Sequence, residues 1–107
     1  MITKFKLYEA INQGEPEEGD YVICKEVENY SIGPPSIKDF VENNIGQFVD
    51  FTVGLIYAYI VKYENVPDEI EENFEKNCRR FNIIEIKYWS KNRKDLEELL
   101  AIKKYNL

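Results

Sequence analysis

The sequence contains no histidine, only two cysteines and no long apolar run. Histidine most often serves as general base and zinc ligand near neutral pH, so its absence leaves carboxylate, lysine, tyrosine or thiol chemistry. Cys24 and Cys78 lack CxxC spacing, and we expect two free buried thiols. No segment approaches the roughly 20 apolar residues of a membrane helix, and the N-terminus lacks the apolar core of a secretory signal. These absences predict a cytosolic protein with no membrane contact, metal or cofactor.

Charge is unevenly distributed along a chain whose 107 residues match the usual size of one domain. Residues 1–75 hold 16 acidic and 5 basic side chains, whereas residues 76–107 hold 4 acidic and 9 basic ones. Two arrangements fit this division. Either the molecule exposes two oppositely charged patches, or a basic C-terminal helix lies across the acidic remainder and partly neutralises it.

Alternating apolar residues predict a small antiparallel sheet. We expect strands over residues 21–27, 47–52, 55–63 and 82–89, with Val53-Gly54 in the turn before the third strand. Residues 1–20 form an N-terminal segment, helical or extended, followed by an exposed acidic loop. The prediction is one α+β domain, built on a curved antiparallel sheet or a small β-barrel over residues 21–90.

Helices are expected between and after these strands. Ser36 is a suitable N-cap for a short helix, and Gly46 follows its expected end. Residues 67–77 place Ile70 and Phe74 four apart, which indicates an acidic helix. Asn92 with Asp95 predicts a capping box for a C-terminal helix over residues 92–104.

Three segments carry a resemblance to known proteins: GDYV, NNIGQFVD and YIVKYENVP. Their order resembles the opening hairpins of Src-homology-3-like barrels over about residues 19–90. The acidic and aromatic signature of proline-rich-peptide readers is missing, so this resemblance implies the fold alone. The string also looks like small uncharacterised proteins of large tailed bacteriophages, which implies a phage origin without an established activity. Residues 7–10, LYEA, resemble the prohead-protease cleavage pattern of such phages, which implies cutting after Glu9.

Carboxylates are dense after the third strand. On a helix, Asp68 with Glu72 and Glu71 with Glu75 are neighbours, and such pairs can act as acid and base or hold a cation. A solvated helix face is the favoured interpretation. EF-hand, phosphate-loop and nucleophile-elbow motifs are missing. We therefore predict a protein with no enzymatic activity and no catalytic, cofactor or metal site.

The tyrosines of the third strand offer a second feature. Ile56, Ala58 and Ile60 form the better core face, which favours exposure of the opposite face. Exposed tyrosines on a strand make a rigid contact surface, whereas inward tyrosines are simply core. The predicted protein-binding residues are Tyr57, Tyr59, Tyr63, Glu64, Asp68, Glu69, Glu71 and Glu72.

The preferred function is a phage-encoded, non-enzymatic protein-binding module that engages a host or virion protein. In one version it inhibits a host factor by mimicking the charge of DNA. The alternatives are a structural virion component and a nucleic-acid-binding barrel. The latter rests on basic residues interleaved with an aromatic one, namely Arg79, Arg80, Lys87, Trp89 and Arg93.

Overall fold

The computed structural model describes residues 9–25, 35–53 and 58–105. Within them, the chain forms an α+β domain with five strands and two helices. In chain order the elements are β1 (Tyr21–Cys24), α1 (Pro35–Asn43), β2 (Gly46–Thr52), β3 (Ala58–Lys62), β4 (Cys78–Phe81), β5 (Ile86–Ser90) and α2 (Arg93–Tyr105). Short 3-10 helices cover Glu71–Asn73 and Ile83–Glu85. In the described part of the chain, no helix is long and apolar enough to cross a membrane.

All strand pairs in the sheet are antiparallel, in the order β4-β3-β2-β1-β5. Over the described residues β4 and β5 do not pair with each other, so the sheet is open and these strands are its edges. The sheet is also curved. Four strand spacings separate its edges by about 19 Å along the sheet. The link from Phe81 to Ile86 joins these two edges, contains a 3-10 turn and reaches no more than about 15 Å. The edges are therefore closer through space than along the sheet, which requires the sheet to curve.

The inner face of the sheet carries the larger core. This face presents side chains such as Val22, Phe48, Val61 and Phe81, which pack against α1 and the segment after β3. Gly46 belongs to the same face, where an added Cβ would collide with Val61 and the Tyr63 ring. Glycine is required there by this close approach rather than by backbone angle.

The outer face is covered over only half of its width by described elements. Helix α2 lays Leu96 and Leu99 against Ile23, with Ile11 and Ile45 completing a second cluster. Strands β2, β3 and β4 have no described helix on this side, and their residues Gln47, Ile60, Lys62, Cys78 and Arg80 are exposed or half-buried. Polar and charged side chains therefore suit the open half of this face.

The sequence-based elements are confirmed for β1, β2, β3 and α2. Helix α1 is also confirmed, although Ser36 lies inside it rather than at its N-cap. The helix expected over residues 67–77 is wrong. Only the turn Glu71–Asn73 is helical there, yet Ile70 and Phe74 are buried as expected. The strand expected over residues 82–89 begins later, at Ile86, and the pattern missed β4 altogether.

Several other expectations have different outcomes. Neither cysteine forms a disulfide; Cys24 is buried and Cys78 is half-buried. The oxygen of Asn92 accepts from the Lys94 N–H at 3.1 Å, as an N-cap does. Asp95 does not complete the capping box, because the Asn92 N–H donates to the Ser90 hydroxyl oxygen at 3.1 Å. The Ser90 hydroxyl in turn donates to the Asp95 carboxylate at 2.8 Å. The expected turn glycine, Gly54, lies outside the described residues. So do residues 26–34 and residues 1–8, which include the cleavage pattern up to Tyr8.

Candidate functional site

The tyrosine face of β3 is core, which corrects the expectation that it is exposed. Tyr63 is 1% exposed, and its ring lies 5.4 Å from that of Phe40 and 5.9 Å from that of Phe74, between ring centroids. Tyr59 is half-buried, with the rings of Phe48 and Phe51 each 4.9 Å away. Tyr57 lies outside the described residues. Edge-on aromatic packing accounts for this choice of face, since α1 and Phe74 supply the rings that cover it.

The acidic segment, residues 64–75, is an irregular chain held in place by two buried side chains. Ile70 is 1% exposed and Phe74 is 7% exposed, whereas the carboxylate side chains point into solvent. These exposed acids are Glu64, Asp68, Glu69, Glu71, Glu72 and Glu75. The i, i+4 neighbours expected from a helix do not arise, because the only helical turn spans three residues. The predicted acidic contact residues are thus exposed on a fixed segment.

The predicted basic surface is divided between the two edge strands. Arg79 and Arg80 belong to β4, while Lys87 and Trp89 belong to β5, and three strands separate them in the sheet. Arg93 lies at the start of α2 and pairs with Glu97 at 3.1 Å. The fold therefore does not bring the five candidate nucleic-acid contacts onto one strand or one edge.

The β5 edge is covered by the N-terminal segment. The Asn12 N–H donates to the Trp89 carbonyl at 2.8 Å, and the Asn12 side-chain oxygen accepts from the Trp89 N–H at 2.9 Å. The Asn12 amide also donates to the Lys87 carbonyl at 3.4 Å. The Trp89 indole N–H donates to the Gln13 carbonyl at 3.3 Å. Asn12 thus pairs with β5 as a strand residue would, and Trp89 has a structural role at this edge.

The polar end of β5 is tied to the same part of the chain. Lys91 lies 3.3 Å from an oxygen of Asp20 and 3.3 Å from one of Glu17. The hydrogen bond with Asp20, followed by that with Glu17, raises the pKa of Lys91 above its ordinary value. This contact joins the acidic and basic parts of the chain.

The β4 edge is closed by its own turn rather than by a distant segment. Glu75 and Cys78 exchange two backbone hydrogen bonds of 2.9 Å. Between them, Lys76 and Asn77 have positive φ values of 52° and 66°, as in the tight turns that favour hairpins. Backbone groups of an antiparallel strand alternate in direction, so those of Arg80, like those of Cys78, point away from β3. Among the described residues, no backbone hydrogen bond is donated by the Arg80 N–H or accepted by its carbonyl.

A groove of about 630 Å³ lies beside this edge. We call it the β4 groove, and its lining residues are Ile60, Asn73, Glu75, Lys76, Cys78, Arg79 and Arg80. The Arg79 guanidinium is held in the wall by a 3.2 Å bond to the Asn73 carbonyl and by the Phe74 ring, 5.8 Å away. Lys76 and Arg80 are exposed and form no ion pair among the described residues. The groove therefore combines a partly apolar floor with a cationic rim.

A second hollow of about 520 Å³ lies further along the outer face. Lys62 and Arg93 line it, but Glu64 does too, and Arg93 already pairs with Glu97. Its charges are therefore closer to balance than those of the β4 groove. Among the described residues, no group of three or more His, Cys, Asp or Glu side chains could hold a metal ion.

Sequence reasoning named Arg79 and Arg80 but missed the groove around them. The other lining residues come from β3, from the 3-10 turn Glu71–Asn73 and the chain that joins it to β4, and from β4 itself. The sequence pattern did not identify β4. Asn77 was the available sequence signal for the turn before β4, because asparagine tolerates the positive φ that Lys76 and Asn77 adopt there. Comparison of the chain with protein-family models, with curated proteins and with solved structures finds no match.

Proposed function

We propose that this protein is a non-enzymatic protein-binding module that holds a short segment of its partner in the β4 groove. The observation that carries the proposal is the groove itself. It offers a partly apolar floor at Ile60 and Cys78, a charged rim, and the N–H and carbonyl of Arg80, which pair with no backbone group of the described residues. Protein-binding sites combine these features, since apolar contact supplies affinity and polar groups fix the register.

The acidic segment adds a second contact in this proposal. Asn73 and Glu75 belong both to that segment and to the groove lining, so a partner in the groove reaches Glu71 and Glu72 nearby. Burial of Ile70 and Phe74 holds this part of the chain in one conformation, which lowers the entropy lost when a partner binds. The acidic residues are therefore kept as proposed partner contacts. The β4 groove replaces the tyrosines as the other proposed contact surface.

Binding of nucleic acid through all five predicted basic residues fits the molecule less well. Four of them lie on opposite edges of the sheet and Arg93 lies on α2, while Trp89 is engaged by Asn12 and Gln13. The acidic segment would also repel a polyanion next to Arg79 and Arg80. Nucleic-acid binding, a phage origin, a place in a virion, a barrel like that of Src-homology-3 domains and a cytosolic location stay predictions from the sequence.

Selection from a random peptide library against the full chain tests the proposal. Peptides that bind are then measured against the wild-type protein, Arg80→Glu and Lys87→Glu. The two variants make the same charge change at exposed residues of the two edge strands. We expect Arg80→Glu to weaken binding about tenfold or more and Lys87→Glu to change it less than about twofold.

Alkylation of the two thiols provides an independent readout of where peptides bind. Cys78 lines the groove and is half-buried, whereas Cys24 is fully buried and serves as an internal control. Bound peptide should slow alkylation of Cys78 without changing that of Cys24. Failure to enrich any peptide, equal losses in the two variants, or unchanged alkylation of Cys78 would overturn the proposal.

A further inference from the structure

We infer that the segment held in the β4 groove is an acidic peptide in extended conformation, lying beside β4 with its backbone hydrogen-bonded to Arg80. This inference rests on the proposed function and names the chemistry of the partner. Three features of the groove support it: the sign of its charge, the direction of the Arg80 backbone, and the limited length of open edge.

Charge favours an acidic ligand here and disfavours it over most of the molecule. Three cations and one carboxylate line the groove: Lys76, Arg79, Arg80 and Glu75. The chain as a whole carries a net charge of −6. Carboxylates of the peptide are therefore attracted to the groove, whereas the acidic segment repels them and contacts neutral or basic residues of the partner, which sets the orientation of the ligand.

Arg79 and Arg80 have different roles in this recognition. The Asn73 carbonyl and the Phe74 ring fix the guanidinium of Arg79, so its charge is already in place before a ligand arrives. Arg80 projects into solvent on the outer face beside Ile60. A carboxylate of the ligand can pair with Arg80, while an apolar side chain two residues away contacts Ile60 and Cys78.

The backbone explains why the ligand is extended. The Arg80 N–H and carbonyl point towards the open edge, and a peptide lying beside β4 supplies the matching carbonyl and N–H. In the part of the chain that the structure describes, Arg80 is the one residue at which this edge is open. Glu75 closes it on one side through its bonds to Cys78, and on the other side Asn82 is engaged by Glu85 in a capping box. One N–H of the peptide therefore donates to the Arg80 carbonyl and contributes to binding.

The size and surroundings of the groove favour a peptide over other anionic partners. Glu71, Glu72 and Glu75 adjoin the cations, so a continuous row of phosphates meets repulsion within a few residues. A peptide can place one or two carboxylates at the cations and neutral residues elsewhere. The acidic segment of a second copy is the other source of carboxylates, but two copies of this acidic chain repel each other.

The test uses synthetic peptides with threonine at every second position and, at the positions between, valine alternating with glutamate, glutamine or lysine, so that the charged and apolar side chains lie two residues apart on one face. We expect the glutamate peptide to bind wild-type protein about tenfold more tightly than the glutamine peptide at low salt, and the lysine peptide to bind most weakly. High salt should remove most of that difference. Arg80→Gln should reduce it, whereas Lys87→Gln, a matched change at the other edge, should leave it intact.

Methylation of successive peptide nitrogens tests the backbone contact. Methylation at one position should lower the affinity of the peptide about fivefold, because one peptide N–H donates to the Arg80 carbonyl. Its two neighbours should be unaffected, since their N–H groups point away from β4.

The outcomes separate this inference from the proposed function. If library peptides protect Cys78 but the glutamine or lysine peptide binds as well as the glutamate peptide, protein binding stands and the acidic ligand is wrong. Tolerance of methylation at every position overturns the extended pairing. Concentration-dependent dimerisation that is lost on reversing the charges of Glu71 and Glu72 shows a second copy as the occupant and also overturns the inference. If no peptide protects Cys78, the proposed function fails as well.

Discussion

The two edges of the sheet are protected in different ways. Strand β5 is covered by Asn12, a residue 77 positions away in the chain from its partner Trp89. Strand β4 is covered by a turn that begins only three residues before it, and beyond this turn no described residue pairs with the backbone of Arg80. An exposed edge invites pairing with other chains, and short strands with charged side chains limit that risk. The comparison teaches that distant cover can close an edge, whereas local cover leaves a small open site.

The covering of β5 should depend most strongly on Ile11. This side chain is 4% exposed and packs in the second cluster with Ile23, Leu96 and Leu99. Ile11→Ala should lower the free energy of unfolding by about 2–4 kcal/mol and release the segment that covers β5. Denaturant unfolding gives the energy, and amide hydrogen exchange at Trp89 reports the edge.

A matched control is Ile83→Ala, which truncates an isoleucine that is 43% exposed. We expect this variant to change the unfolding free energy by less than about 0.5 kcal/mol. Equal effects of the two substitutions would mean that the N-terminal segment contributes no more than a surface residue. The contrast between distant and local cover would then lose its energetic basis.

Asn12 should have the next largest effect, through its hydrogen bonds rather than through burial. Asn12→Ala removes the acceptor for the Trp89 N–H and places alanine at a φ of 55°. Together these changes should cost about 1–2 kcal/mol and speed exchange of the Trp89 amide. Asn12→Asp keeps the acceptor and tolerates the backbone angle but loses the longer hydrogen bond to the Lys87 carbonyl, so it should cost less than Asn12→Ala without being neutral. The same loss in both variants would contradict the strand-like role of the Asn12 side chain.

The β4 turn should respond with opposite signs at its two central residues. Lys76→Gly should raise the unfolding free energy by about 0.5–1 kcal/mol, because glycine adopts the positive φ of 52° without steric cost. Asn77→Ala should lower it by about 1 kcal/mol, since alanine tolerates a φ of 66° poorly. Denaturant unfolding of both variants makes the measurement. A loss of stability in both would show that side-chain contacts, rather than backbone angles, determine the turn.

The sequence predicted those parts of the fold in which local pattern and tertiary packing agree. Alternating residues located β1, β2 and β3, and the Asn92 cap located α2. Strand β4 was not predicted, because its four residues, CRRF, include two arginines and are too few to show an alternation of apolar and polar side chains. Its pairing with β3 depends on a partner that local pattern does not contain.

The candidate site was harder to predict because it is made by several elements. Alternation separated Tyr59 and Tyr63 from Ile60 but could not say which side would be covered. That choice depends on rings from α1 and from residue 74, which pack on the tyrosine side. For the same reason Asn12 gave no signal, since its partners lie at the other end of the chain. Arg79 and Arg80 were identified from charge alone, without the groove that surrounds them.

The smallest expected effect concerns the end of β5, where Lys91 meets Asp20 and Glu17. Their hydrogen bonds raise the pKa of Lys91 in the folded protein above its value in the unfolded chain. A raised pKa stabilises the fold while pH is below the unfolded value of about 10.4, and this contribution is lost as pH rises through the folded value. Lys91 is exposed and solvent screens its charge, so the contribution is small.

Unfolding free energies measured at successive pH values from neutral to strongly alkaline test this contact. Wild-type protein should lose slightly more stability than Lys91→Gln above the ordinary lysine pKa, because only the wild type has this charge to lose. Lys94→Gln is the matched control, since Lys94 is exposed on the first turn of α2 and forms no ion pair among the described residues. It should follow the wild-type pH dependence. If Lys91→Gln follows it too, the ion pairs with Asp20 and Glu17 add nothing to the covering of β5, and that edge is held by Ile11 and Asn12.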